Sequence, residues 1–183
     1  MNQENDICDE RKNAQLTQFD VLRNAIYHSH CRRIMEFRSR LLALLVVVLG
    51  ASSVGEIIPK TSIVDQAWVG LVISILATIH LVFDFGRRSG DHQFFQKSYY
   101  LLLSEMEAQT SPSASDFARW RSQMITITSS EPPVLRAIDA KAHNETVSIL
   151  GMPKTDGLII PWHHWFLGGM WSFSGYLYKN IEE

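Results

Sequence analysis

Cysteine is scarce in this chain of 183 residues: only Cys8 and Cys31 occur. Two thiols form neither a disulfide framework nor a metal-binding quartet, and both are expected as free thiols. Charge of one sign is also missing. Seventeen basic against 19 acidic residues leave a formal net charge of −2, which excludes a polybasic nucleic-acid binder, so no direct nucleic-acid contact is expected. No H-E-x-x-H, phosphate loop or dinucleotide fingerprint is present. No signal peptide is expected either, because the first apolar run starts only at Leu41 and lacks a small-x-small cleavage pattern.

What the chain does have is two long apolar runs, Leu41–Ile58 and Val64–Phe85, separated only by Pro59-Lys60-Thr61-Ser62-Ile63. A membrane-spanning helix needs roughly 20 apolar residues. The second run meets this, with Asp65, Gln66 and Ser74 as its clearly polar residues. The first is shorter and contains Glu56, which is tolerable at headgroup level beside Pro59 and Lys60. A buried hairpin in a soluble helical protein is the plain alternative, but such helices ordinarily carry a polar stripe. Basic residues flank the pair: Arg32, Arg33, Arg38 and Arg40 before it, Arg87 and Arg88 after it, against Lys60 alone in the turn. The positive-inside rule then places both termini in the cytoplasm, at the inner (plasma) membrane.

The spans offer small faces for close packing. Ala67, Gly70, Ser74 and Ala77 share one helix face in the second, and Gly50, Ser53 and Gly55 are the counterparts in the first. These faces serve packing within the hairpin, between subunits, or both. Glu56, Asp65, His80 and Asp84 are the ionisable groups near span ends. Asp84 can pair with Arg87 or Arg88 at the cytoplasmic border, and each of the four can serve as an interfacial anchor. If several hairpins surround a pore, the carboxylates Glu56 and Asp65 would form an acidic outer ring that favours cations.

The expected organisation is an all-α membrane protein, a two-helix transmembrane hairpin with a cytoplasmic helical bundle. Residues 1–13 form a mobile tail and 14–40 an amphipathic helix, with Leu16, Phe19, Leu22, Ile26, Ile34, Phe37 and Leu41 at helical spacing. Residues 41–85 form the hairpin. In 86–150, Phe95, Tyr99, Leu102, Leu103 and Met106 mark one helix. Ser111 as N-cap and Pro112 start the next, and Pro133 to about Leu150 with Gly151 as C-cap forms the last. Residues 151–183 are aromatic-rich, around Pro161-Trp162-His163-His164-Trp165-Phe166, and read either as an interfacial membrane contact or as a lid on the bundle.

Enzyme signals are weak. His163 and His164 are adjacent and cannot grip one metal from a helix face. His143, Asn144 and Glu145 point in different directions on a helix, and Cys31 with His28 or His30 lacks a third group. No catalysis and no cofactor are expected, and His143-Asn144-Glu145 reads as a polar cluster that fixes helix packing.

The basic helix up to Arg40, the close hairpin, the helices after it and above all Ala140-Lys141-Ala142-His143-Asn144-Glu145 resemble the SLATT family of prokaryotic two-transmembrane effector domains. The resemblance covers roughly Ala14–Leu150 and leaves the aromatic end unexplained. It implies a pore-forming or membrane-disrupting effector in bacterial antiphage defence. The partners it implies are membrane lipid, further copies of the chain, and a separate sensor or nucleotide-signalling protein. A non-conducting membrane-anchored adaptor or scaffold is the alternative.

Overall fold

Six α-helices account for most of the computed structural model, which describes residues 2–54 and 66–181. They are α1 (Asn2–Val54), α2 (Gln66–Phe83), α3 (Phe85–Ala108), α4 (Ala114–Thr128), α5 (Arg136–Ile149) and the short α6 (Trp162–Leu167). A single 3-10 turn, Lys154–Asp156, joins α5 to the C-terminal segment. Among the described residues there is no strand, and the one β-bridge pairs Leu158 with Asn180. The all-helical expectation holds. The hairpin's turn, with Gly55, Glu56 and Asp65, lies outside the described residues, so the two-helix hairpin remains an expectation.

The chain divides into two units. One comprises Met1–Cys31 and His92–Glu183, the other Arg32–Asp91. The first unit owns a core. Val21, Leu22, Ala25 and Ile26 of α1 are buried, as are Phe95, Tyr99, Leu102, Leu103 and Met106 of α3. The α3 set falls at i, i+4, i+7, i+8 and i+11, the stripe of a helix with one inward face. Trp120 of α4 and Ala137, Ile138, Ala142 and Val147 of α5 complete it. Arg23 and Asp139, 3.5 Å apart, add an ion pair between α1 and α5.

Local chemistry sets the helix ends. The expected N-cap Ser111 is replaced by Ser113, because only Ser113 has an acidic residue three positions on. Its hydroxyl accepts the Asp116 amide while Asp116 Oδ2 accepts the Ser113 amide at 2.9 Å, a reciprocal capping box. The Ser113 hydroxyl holds the Asp116 carboxyl below its usual range. Helix α5 starts at Arg136, three residues later than Pro133 suggests. It has no side-chain cap. Its first amides find tertiary partners instead: Leu135 N–H donates to Tyr27 OH at 3.0 Å and Arg136 N–H to Ser172 O at 3.2 Å. These satisfy groups that a helix start leaves open. At the other end Gly151, at φ 64°, turns the chain as expected. Gly151 N–H bonds to Ser148 O and Met152 N–H to Val147 O, which is a Schellman closure.

The second unit exposes apolar surface along α2. The stretch Ala67–Ala108, running through α2 and α3, is the one helix among the described residues long and apolar enough to cross a membrane. Among the described side chains of α2, only Val69 is buried. The apolar end of α1 is likewise open at Leu44, Val47 and Val48. Between α2 and α3 sits Asp84 at φ 39°, a left-handed conformation that Asp tolerates better than most residues. Its carboxylate accepts the Arg87 backbone N–H at 3.2 Å and so caps α3.

Candidate functional site

The His143-Asn144-Glu145 motif sits on α5, where each side chain engages a different partner. His143 Nε2 lies 2.9 Å from Asp156 O, consistent with donation of a ring N–H to that carbonyl. Asn144 binds Leu158 twice: its Nδ2 donates to Leu158 O at 2.8 Å, and its Oδ1 accepts Leu158 N–H at 2.6 Å. The amide thus imitates a neighbouring strand for a segment that has none. Glu145 Oε2 lies 2.8 Å from His30 Nε2 of α1. The motif fastens α5 to α1 on one side and to the C-terminal segment on the other. The expected divergence of the three side chains is the geometry that this fastening needs.

The C-terminal segment is folded onto α5. Lys141 Nζ donates to Trp165 O at 2.6 Å and stands 4.4 Å from the Trp165 ring centroid. Burial lowers the Lys141 pKa. Gly168 comes so close that a Cβ there would stand 2.7 Å from Ala137 Cβ. His164 is buried, stacks on Phe173 at 3.8 Å and pairs its Nδ1 with Tyr178 OH at 2.8 Å. Burial, helped by neighbouring His163, pulls the His164 pKa down, and burial pushes that of Tyr178 up. The segment closes with Ile159 N–H donating to Lys179 O and Ile181 N–H to Gly157 O, both at 2.8 Å. Of the two readings of this stretch, the lid on the bundle describes its inner side.

A second polar cluster lies inside the first unit and has no counterpart in the sequence reading. His28 Nδ1 and His92 Nδ1 are 2.8 Å apart. Two ring nitrogens at that distance hold one proton between them. His28 Nε2 faces Glu131 Oε1 at 3.1 Å, near enough for an ion pair but out of line for a hydrogen bond. Glu131 Oε1 also accepts from Tyr99 OH, which lies 2.8 Å from Thr128 Oγ1. Tyr27 stands edge-on to His28, and burial raises its pKa far above the usual phenol value. The signal for His92 was its place three and seven residues before Phe95 and Tyr99, in register with the buried stripe of α3. His28 has no exposed surface, and the network links α1, α3 and the connection after α4.

A cavity of about 680 Å³ opens beside the motif, with Leu16, Phe19, Val147 and Met152 among its apolar lining and His143 and Asp156 among its polar lining. Among the described residues no group of three His, Cys, Asp or Glu side chains is placed to hold a metal ion.

The remaining sequence candidates lie in the second unit. Ala67, Gly70, Ser74 and Ala77 of α2 are all exposed. A Cβ at Gly50 or Gly70 would meet nothing within 4 Å. Ser53 belongs to α1, but its side chain lies outside the described residues. Ser74 Oγ donates to Gly70 O and Thr78 Oγ1 to Ser74 O, at 2.9 and 2.7 Å, which turns both hydroxyls back onto their own helix. His80 Nδ1 is buried without a hydrogen-bond partner among the described residues. Arg32 and Arg40 flank Glu36 at 2.8 and 3.5 Å, and the hydrogen bond from Arg32 holds the Glu36 carboxyl below its usual range. Arg38 stands 6.0 Å from the Phe85 ring centroid, while Arg33, Arg87 and Arg88 are exposed. Comparison with known proteins finds no match: no family model fits the chain, and no curated protein or solved structure is similar to it.

Proposed function

We propose that this chain is a membrane-embedded effector of the inner membrane, with both termini on the cytoplasmic side, whose assembled copies breach the bilayer when its helical unit is triggered. One observation carries the reading: α2 exposes Trp68, Leu71, Val72, Ile75, Leu81, Val82 and Phe83 together with its small residues Ala67, Gly70, Ser74 and Ala77. Lipid suits the bulky side, and a second copy of the helix suits the small side, because small residues let membrane helices approach closely. A role in antiphage defence and a separate sensor or nucleotide-signalling partner follow from the SLATT resemblance alone.

The test is ion release from liposomes holding the purified protein. Assembled or triggered protein should release trapped ions, and intact vesicles under every such condition would refute the effector reading. Gly70→Leu is the informative variant, because the space around Gly70 within one chain is open. It should leave the fold intact and cut release by about tenfold, equivalent to ~1.4 kcal/mol of lost association.

One observation favours a second reading, the non-conducting membrane anchor. Ser74 and Thr78 spend their hydroxyl protons on their own backbone, which leaves α2 little polar surface for lining a path. Normal membrane potential combined with recruitment of a partner protein to the membrane would favour the anchor.

A further inference from the structure

The C-terminal segment has an outer side as well as the inner one. Trp162 is 79% exposed, Phe166 75%, Met170 72%, Trp171 70% and Leu177 81%. Exposed apolar surface of this density on a folded segment marks an interaction site. It is not a loose tail. Asn144 with Leu158 and Lys141 with Trp165 hold it to α5, and His164 with Phe173 and Tyr178 ties the segment to itself. Folding therefore fixes these side chains in an outward position.

The geometry points to this aromatic face as a docking surface for the headgroup–acyl boundary of a lipid bilayer, a contact additional to any membrane-crossing helix. Three observations select lipid over protein. First, the indoles: Trp120 is buried and donates its Nε1–H to Glu105 Oε1 at 3.3 Å, whereas Trp162, Trp165 and Trp171 make no side-chain hydrogen bond among the described residues. A flat apolar ring with one free N–H suits the bilayer interface, where tryptophan is enriched. Second, the charge: from Gly157 to Ile181 the sequence has no aspartate or glutamate, and its one permanent charge is Lys179. Asp156 and Glu182 bound this stretch, and the outward aromatic side chains between them bring no negative charge of their own to anionic headgroups. Third, the chain supplies its own bilayer through the apolar helix in Ala67–Ala108. Tethering makes the contact intramolecular, so a shallow and individually weak insertion suffices. This third point rests on the membrane reading given above.

Full-length protein carrying 5-fluorotryptophan, reconstituted in bilayers of phosphatidylcholine and phosphatidylglycerol, gives five fluorine signals for its five tryptophans. Single Trp→Phe substitutions assign them. Nitroxide is then introduced on the lipid, near the headgroup or deep in the acyl chain, or as a water-soluble probe. The docking surface predicts that Trp162 and Trp171 lose intensity with the shallow lipid nitroxide, that Trp68 of α2 also loses intensity with lipid nitroxide, and that buried Trp120 does not. If Trp68 responds while Trp162 and Trp171 respond only to the aqueous probe, the face is free in water and the inference fails with the membrane reading intact. If Trp162 and Trp171 resist every probe, as Trp120 does, protein covers them, and a second copy or a partner replaces lipid as the occupant. If Trp68 escapes the lipid probes, the membrane reading itself falls.

Discussion

At the residue scale, the molecule depends on side chains that take the place of missing backbone partners. Asn144 is the clearest, because it supplies both halves of a strand pairing to Leu158. Asn144→Ala should loosen residues 151–181 from α5, at a cost of about 1–3 kcal/mol for the groups left unpaired. Limited proteolysis should then cut within that segment while the rest of the unit resists. His92→Phe poses the matching test for the buried cluster. It leaves His28 Nδ1 without its partner and should lower thermal stability by a similar amount, ~1–3 kcal/mol. His164 adds a pH dependence. Its folded pKa lies below the ordinary histidine value, so the unfolded segment binds the proton more readily. Stability of the aromatic segment is therefore fully present above about pH 6.5, the unfolded value, and declines as pH falls below it toward the folded pKa. Proteolysis of the segment should speed up between neutral and mildly acid pH, and in His164→Phe that acceleration should disappear.

At the element scale, helix ends and close approaches decide where the chain turns. Ser113→Ala removes one arm of the capping box and should cost about 1 kcal/mol of α4 stability, read as a lower melting temperature. Gly168→Val is a harsher change. With Ala137 Cβ only 2.7 Å from the position of a new Cβ, the segment must lift from α5, at a cost of about 1–3 kcal/mol. Hydrogen exchange at Trp165 and Gly168 should report it. The sequence made some of this visible. The α3 stripe from Phe95 to Met106 was legible because five apolar residues keep a helical period, and the turn at Gly151 because glycine is the usual residue in that conformation. The cap at Ser113 was missed in favour of Ser111 because Pro112 suggested an N1 position, while the reciprocal Asp116 carried the stronger signal. The start of α5 was placed too early because its first amides are satisfied by Tyr27 and Ser172, one far upstream and one far downstream. No local pattern encodes such partners, nor the meeting of His28, His92 and Glu131. The motif at His143-Asn144-Glu145 was legible as a packing cluster, but its three partners required the fold.

At the scale of the whole molecule, the first unit has a buried core beneath its exposed aromatic face, whereas α2 of the second unit buries only Val69 among its described side chains. The first unit has a core, a buried polar network that links its helices and a fastened C-terminal segment. In the second, Leu71, Ile75, Leu81 and Val82 of α2 are open, and water would not leave such a surface uncovered. The account therefore stands on lipid surrounding α2. Spin labels at Leu71→Cys, Ile75→Cys and Val82→Cys, in protein with Cys8→Ser and reconstituted in bilayers, test this directly by their collision rates with oxygen and with a water-soluble nickel chelate. The account predicts high oxygen and low nickel accessibility at Leu71 and Ile75, with nickel accessibility rising toward Val82 near the end of the helix. High nickel accessibility at all three positions, or low accessibility to both reagents as inside a protein core, would contradict it.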